Sequence, residues 1–413
     1  MKVQGKKLMD RRHFVVVGAS QAGCWISKTL RQEGFKGKIT MIGEESYYPY
    51  ERPPLSKDVL LGKTDIESTY FFKPESYKDD DIEVLLNTRV QKISCSDKNI
   101  LLQDGRLLSW DRLALATGSR VRRLEVEGSG LDGIHYLRSL NDTRVIKESA
   151  KPDSTVVIVG GGWIGLECAA TLKTLGCNPI VIESSDRLCA RAVAPDISAW
   201  MNDFHTKNGI DIRLNTSVKS FKGDGSVTRV CLSDNSQIDC SSVVIGIGVL
   251  PNVELAEEAG LLVDNGIVVD DLCATSDKDI FAAGDVANHP NNFLKQRVRL
   301  ESWDNAMKQG ISAGISMLGK GKSYSEIPWF WSQQFDANIQ IIGIPDSWDE
   351  AVVRGTKTAN EFTEFYLKDN QIVGAVAVNN NREIRVTKRL MQSGKKIESA
   401  DLTDSSKNIQ TLV

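Results

Sequence analysis

The chain carries one glycine-rich signature twice, and each copy stands in the local setting that gives it meaning. Val17-Gly18-Ala19-Ser20-Gln21-Ala22-Gly23 and Val159-Gly160-Gly161-Gly162-Trp163-Ile164-Gly165 both follow an apolar strand, Phe14 to Val17 and Thr155 to Val159, and both run into a helix. Glycines at these spacings make a tight turn, let backbone amides approach a pyrophosphate, and let the helix pack close to the strand. The helix N-terminus adds positive potential for the phosphates. One such loop is a weak signal, but two in strand-turn-helix context require two dinucleotide-binding domains in a single polypeptide.

The flanking pattern agrees. Ala22, Trp25, Ile26, Thr29 and Leu30 recur at helical spacing, as do Ile164, Cys168, Thr171, Leu172 and Leu175, so each loop opens a helix with one face on a sheet. Gly176 is placed to close the second helix. Each unit then enters another strand, Lys38 to Ile42 and Pro179 to Ile182, that ends in acid at Glu44-Glu45 and at Glu183. These acids stand near the ~20 residues beyond the loop at which a carboxylate meets a ribose diol. A carboxylate there bonds a free 2′-hydroxyl and repels a 2′-phosphate, so Glu183 predicts NADH over NADPH, although Arg187 and Arg191 follow closely and offer a phosphate-binding alternative.

The strand Arg112 to Ala116 ends in Thr117-Gly118, and Val243 to Ile247 ends in Gly248; both read as points where the chain crosses between dinucleotide domains. From Pro328 onward the pattern changes. Asn338 to Ile342, Glu361 to Leu367 and Gln371 to Val378, with a turn at Lys368-Asp369-Asn370, predict an antiparallel sheet, followed by a helix around Arg382 to Gln392. The predicted class is α/β, with two Rossmann-like domains and a C-terminal α+β domain.

At 413 residues the chain has room for two or three domains. A net charge of −3 argues against bulk affinity for nucleic acid or a membrane surface. No apolar run reaches membrane-spanning length, and Met1 to Arg12 is basic without a hydrophobic segment, so the expected location is cytoplasmic. Cys24, Cys95, Cys168, Cys177, Cys189, Cys231, Cys240 and Cys273 include no closely spaced pair, which excludes the disulfide reductases that pass electrons through two adjacent thiols. His13, His135, His205 and His289 are scattered, and no metal site is expected.

Tyr50-Glu51-Arg52-Pro53-Pro54-Leu55-Ser56-Lys57, the loop from Gly160 to Glu167, Ala283-Gly284-Asp285, Leu300-Glu301-Ser302-Trp303 and Phe330-Trp331-Ser332 follow one another in a familiar order. From about residue 12 to the C-terminus the chain resembles the FAD-dependent NADH:ferredoxin reductases of oxygenase systems, in the glutathione-reductase-like pattern shared with apoptosis-inducing-factor-type reductases. The resemblance implies an FAD domain over 1–120 and 249–327, an NADH domain over 121–248, and a C-terminal domain over 328–413 that covers the flavin. It implies that Gly18, Ser20, Gln21, Ala22, Gly23, Glu44, Arg52, Lys57, Thr117, Gly118, Arg120, Gly284, Asp285, Ser302, Trp303 and Trp331 bind FAD. The NADH set is Gly160, Gly162, Trp163, Ile164, Gly165, Glu183, Arg191 and Gly248. Lys57 and Glu167 are the implied catalytic pair beside the hydride-accepting flavin nitrogen, the lysine favouring a reduced anionic ring and the glutamate fixing it.

Two positions depart from the family pattern: Ser20 replaces the middle glycine of the first loop, and Gln333 stands where an acid usually follows Trp331-Ser332. Trp329 and Trp331 are expected at the pocket mouth. With no thiol pair as a two-electron exit, the implied acceptor is a small acidic 2Fe-2S ferredoxin taking electrons singly, steered by a basic rim of Lys295, Arg297, Arg299, Arg122 and Arg123. An NADH oxidase or quinone reductase, or a redox-switched binding protein, would share the architecture, and the chain would act as a monomer or homodimer.

Overall fold

Two runs of β-branched residues, Val15–Val17 and Val156–Val159, are nearly inaccessible to solvent, and each forms the middle of a parallel sheet covered on both faces. The computed structural model describes residues 10–343 and 347–413. The basic opening segment noted above lies outside the described residues as far as position 9.

Contacts divide the chain into two units. The first comprises the segment up to Glu51, Tyr70–Arg120 and Pro251–Glu326. Its five-stranded sheet runs Ile280–Ala282, Arg112–Leu115, His13–Val17, Lys38–Ile42, Ile82–Leu85, all parallel. Helix Gln21–Gln32 packs against helix Trp303–Ser316 at backbone distance, because Gly310 and Gly314 present no side chain: a Cβ on Gly310 would stand 2.7 Å from the Ala22 carbonyl oxygen.

The second unit comprises Arg52–Thr69, Val121–Leu250 and Ile327–Val413. Its parallel sheet runs Asp211–Arg213, Asn178–Ile182, Thr155–Val159, Ser242–Ile245, Ile134–Tyr136. The C-terminal strands form a separate antiparallel sheet in the order Trp329–Gln334, Ala337–Ile342, Gln371–Val378, Glu361–Lys368, Glu350–Thr356, and helix Asn381–Ser393 follows. The α/β class with two nucleotide-binding sheets and a C-terminal α+β region is therefore the fold observed.

Arg52–Thr69, drawn by the sequence into the first domain, groups with the second unit. Thr143 Oγ1 donates to the Leu55 carbonyl at 3.2 Å, Thr171 Oγ1 to the Ser56 carbonyl at 2.6 Å, and Lys57 pairs with Glu167.

In both parallel sheets the loop turns on a left-handed glycine, Gly18 (φ +116°) and Gly160 (φ +111°). A Cβ at Gly18 would lie 2.0 Å from the Ala116 carbonyl oxygen, and at Gly160 2.4 Å from that of Gly246, so the fit to the next strand requires glycine as much as the dihedral does.

Candidate functional site

In the first unit the loop delivers Ser20 in extended conformation as the N-cap of Gln21–Gln32, with no capping bond from its hydroxyl and no acid in the helix's first turn. Helix Leu140–Ser149 shows the alternative: Ser139 accepts from the Asp142 amide, and the Asp142 carboxylate accepts from the Ser139 amide at 2.7 Å. A helix whose first amides its own side chains leave uncapped suits an external anion.

The other first-unit candidates gather at the same edge of the sheet. Gln21 Nε2 donates to the Trp303 carbonyl at 2.7 Å, and Ser302 caps the Trp303–Ser316 helix. A Cβ on Gly284 would come within 2.9 Å of Ala22 Cβ, and Ser119 Oγ donates to Asp285 Oδ2 at 2.8 Å. Thr117 is clamped to Asn252 by two 2.8 Å bonds, which join the two crossover segments. Glu44 and Arg120 hold protein partners: Glu44 meets Arg89 at 3.3 Å, and Arg120 meets Glu254 at 2.7 Å, with both side chains of each pair about half exposed or more. Ion pairs this exposed are worth about 0–1 kcal/mol, so either charge can exchange its partner for a ligand.

The second loop, in the second unit, is more constrained. Glu183 Oε2 accepts from the Gly161 amide and Oε1 from the Ser185 amide, each at 2.7 Å, so the carboxylate is fixed beside the turn it is expected to serve. A Cβ on Gly161 would strike Leu188 Cδ2 at 2.6 Å and Glu183 Cβ at 3.1 Å, whereas a Cβ on Gly162, the N-cap of Trp163–Thr174, would enter open space. Ile164 in that helix's first turn stays 45% exposed, one of few large apolar side chains left uncovered. Trp163 rests on Phe330, ring centroids 5.2 Å apart. Arg187 is consumed internally, donating to the carbonyls of Val193 and Ala190 and to Ser198 Oγ. Exposed Arg191 instead lies beside Gly248, its guanidinium 3.4 Å from where a Cβ would stand.

Lys57 and Glu167 meet, also within the second unit. Lys57 Nζ lies 2.6 Å from Glu167 Oε2, with the side chains 16% and 4% exposed. The ammonium also donates to the Pro53 carbonyl at 3.1 Å. Glu167 receives two further donors: Ser56 Oγ reaches Oε2 at 2.5 Å and Ser332 Oγ reaches Oε1 at 2.6 Å. Behind Ser332, Gln334 Nε2 donates to its hydroxyl at 2.9 Å, and His205 Nε2 lies 2.6 Å from Gln334 Oε1. Burial among apolar groups pushes the His205 imidazole down to about 4, so it is neutral at ordinary pH. Arg52, at the head of this segment, donates to the Arg138 carbonyl.

Ser56 and Ser332 stood in the sequence only as members of motifs and His205 only among the scattered histidines, none with a role, and Gln334 was not named. One signal was available: at the end of strand Trp329–Gln334, Ser332 and Gln334 are buried at positions two apart where apolar residues belong, while Gln333 between them faces solvent. Trp329 and Trp331 stack on each other at 5.1 Å. The expected basic rim is partly engaged by protein partners: exposed Arg297 donates through Nη2 to the carbonyls of Val269 and Asn288, Arg299 pairs with Glu301 at 2.7 Å, and exposed Arg123 lies over the Tyr136 ring. Burial pushes the thiols of Cys24, Cys168 and Cys273 up to about 12, which leaves them without thiolate character.

Two helix N-termini without side-chain caps, one fronted by open space at Gly162, an oriented ribose-type carboxylate and an uncovered apolar side chain fit FAD and NADH by the chemistry of the donors present. Among the described residues no helix is long and apolar enough to cross a membrane.

Residues 12–310 match the family described as pyridine nucleotide-disulphide oxidoreductase, and residues 329–413 match the reductase C-terminal family. The chain is 38% identical, over 98% of its length and 100% of the relative's, to the ferredoxin–NAD(+) reductase component of an anthranilate 1,2-dioxygenase system from Burkholderia cepacia. It is 35% identical to putidaredoxin reductase of Pseudomonas putida, over 97% of this chain and 96% of that one. A solved covalent putidaredoxin reductase–putidaredoxin complex matches with a TM-score of 0.94 at 35% identity, covering 97% of this chain and 98% of that one.

Proposed function

The chain belongs to the pyridine nucleotide-disulphide oxidoreductases, and from that premise we propose that it is an FAD-dependent NADH:ferredoxin reductase. It takes hydride from NADH and passes electrons singly to a 2Fe-2S ferredoxin that feeds a Rieske-type oxygenase or a related monooxygenase. What supports the reading is that relatives at 35–38% identity, matched over nearly the whole length of both chains, are ferredoxin–NAD(+) reductase members of dioxygenase systems. FAD, when bound, supplies a centre that accepts two electrons at once and releases them one at a time.

In this reading the FAD domain is 1–120 with 249–327, the NADH domain 121–248, and the C-terminal domain 328–413. The amides at the start of Gln21–Gln32 hold the FAD pyrophosphate, and Asp285 its polyol end. The amides at Gly162 to Ile164 hold the NADH pyrophosphate, with Ile164 packing on the coenzyme and Arg191 beside it. Glu183, fixed by two backbone amides, accepts from the ribose diol and repels a 2′-phosphate. Lys57 places an ammonium at the flavin edge, and Glu167, ringed by three donors, fixes that ammonium in position. The setting is cytoplasmic, in keeping with cysteines that are all unpaired, five of them buried and three partly buried.

The test is anaerobic reduction of the purified flavoprotein by NADH, followed by mixing with a 2Fe-2S ferredoxin. Stoichiometric bleaching, then reoxidation by ferredoxin faster than by oxygen or quinone, is expected. A flavin that NADH does not bleach overturns the dinucleotide assignment, and equal or faster reoxidation by quinone points to a quinone reductase instead.

A further inference from the structure

The hydrogen bonds behind Glu167 run in one direction. Ser332 lies 2.6 Å from Glu167 Oε1, and a carboxylate can only accept, so the serine proton points at the glutamate. The Ser332 oxygen is then left to accept, which it does from Gln334 Nε2 at 2.9 Å. With its amide nitrogen turned to Ser332, Gln334 presents its carbonyl oxygen to His205, whose Nε2 must carry the hydrogen across 2.6 Å. His205, Gln334 and Ser332 are 0%, 1% and 0% exposed, so no solvent can substitute for a missing donor. His205 Nδ1 has no hydrogen-bond partner among the described residues, as the acceptor nitrogen of the Nε2–H tautomer flanked by Phe204 and Phe335.

We propose that His205 and Gln334 are positioning residues that act on the Lys57–Glu167 pair through Ser332: the imidazole N–H locks the Gln334 amide, and the locked amide aims the Ser332 proton at Glu167. The lock matters because an amide offers a donor at one end and an acceptor at the other. Without the imidazole donor, Gln334 can rotate and present its oxygen to Ser332; the serine then donates to Gln334, and Glu167 loses one of three donors. A buried carboxylate with a donor removed rotates toward those that remain, Ser56 and Lys57 on Oε2, and the ammonium shifts with it.

The inference rests on the proposed role of Lys57 and Glu167 beside the flavin. The experiment compares His205→Phe, which keeps a ring and loses the donor, His205→Gln, which restores an N–H, Ser332→Ala, and the His205→Phe/Ser332→Ala double variant, with Glu167→Gln as reference, all as flavin-loaded protein. The hydride-transfer rate is read by stopped flow, KM for NADH in steady state, and the His205 tautomer in the unsubstituted protein by nitrogen-15 NMR. The expected results are an Nε2–H tautomer; hydride transfer slowed about 3- to 10-fold in His205→Phe with KM unchanged, as one lost hydrogen bond predicts; recovery in His205→Gln; and a double variant no slower than Ser332→Ala alone.

An Nδ1–H tautomer, an unchanged rate in His205→Phe, or additive losses in the double variant overturn the relay. If His205→Phe does not fold, His205→Gln and the tautomer decide: a rate within 2-fold of the unsubstituted protein with an Nε2–H tautomer supports it, and either failing overturns it. Glu167→Gln separates the two levels, because an unchanged rate there rejects the role of the pair itself, while a slowed Glu167→Gln with an unaffected His205→Phe rejects only the relay.

Discussion

At the residue scale, neighbouring glycines of the second loop do different work. Gly161 is enclosed by Leu188 and Glu183, and Gly162 faces open space at φ −86°, ψ −177°, which alanine adopts without strain. Gly161→Ala is therefore expected to cost about 1–3 kcal/mol of stability through overpacking. Gly162→Ala should leave the urea midpoint almost unchanged but raise KM for NADH at least several-fold, since its methyl projects where the coenzyme phosphates would lie. Equal KM for both proteins would remove the phosphate site from this helix. Glu183→Ala should lower kcat/KM for NADH by about 10- to 100-fold, the worth of one or two charge-assisted bonds, and narrow the preference over NADPH. A variant that kept its full preference in steady-state assays would transfer the choice of coenzyme to another residue. Of the site, glycines and acids at fixed offsets were legible because backbone geometry demands them; Ser56 and His205 were not, because nothing local distinguishes a buried polar partner from a surface one.

At the scale of elements, strands and helices follow from hydrophobic period and glycine placement: His13–Val17, Thr155–Val159 and Gln371–Val378 lie where the alternation or apolar run put them. What holds the C-terminal elements is less visible. Arg354, 7% exposed, stands on strand Glu350–Thr356 and donates to Glu383 Oε1 at 2.6 Å on the following helix. It also reaches the carbonyls of Leu402, Asp404 and Lys407. One guanidinium thus ties a strand, a helix and the C-terminal tail. Arg354→Met keeps the volume but strands a buried carboxylate and frees the tail; it should cost about 3–5 kcal/mol in chemical denaturation and expose the segment after Ser399 to proteases. Unchanged stability would show the hub to be ornamental.

At the scale of the whole molecule, acid should weaken the fold through its histidines. Burial is the largest cause holding His13, His135, His205 and His289 below their ordinary value, the last two at about 4. Above the unfolded value near 6.5 each is neutral in both states, so they leave stability untouched there. Between about 6.5 and 4 the unfolded chain takes up protons that the folded chain refuses, so stability falls as pH falls, by about 3 kcal/mol for His205 alone once pH drops below 4. Thermal unfolding followed from pH 7 to pH 4.5 should show a falling midpoint that His205→Gln partly flattens; a midpoint insensitive to pH over that window would contradict the burial of these rings as neutral species. The sequence by itself determined two nucleotide loops, the acids that follow them, the class of fold and the absence of a thiol exit, because each is written in spacing along a few tens of residues and enforced by backbone sterics. Only the tertiary structure decided that Arg187, Arg297 and Arg299 are engaged by carbonyls and an acid, that Arg52–Thr69 packs with the second unit, and that Glu167, Ser332, Gln334 and His205 stand in one hydrogen-bonded row. Those outcomes depend on which polar groups lose water together, and desolvation is a property of the assembled core that spacing along a chain does not encode.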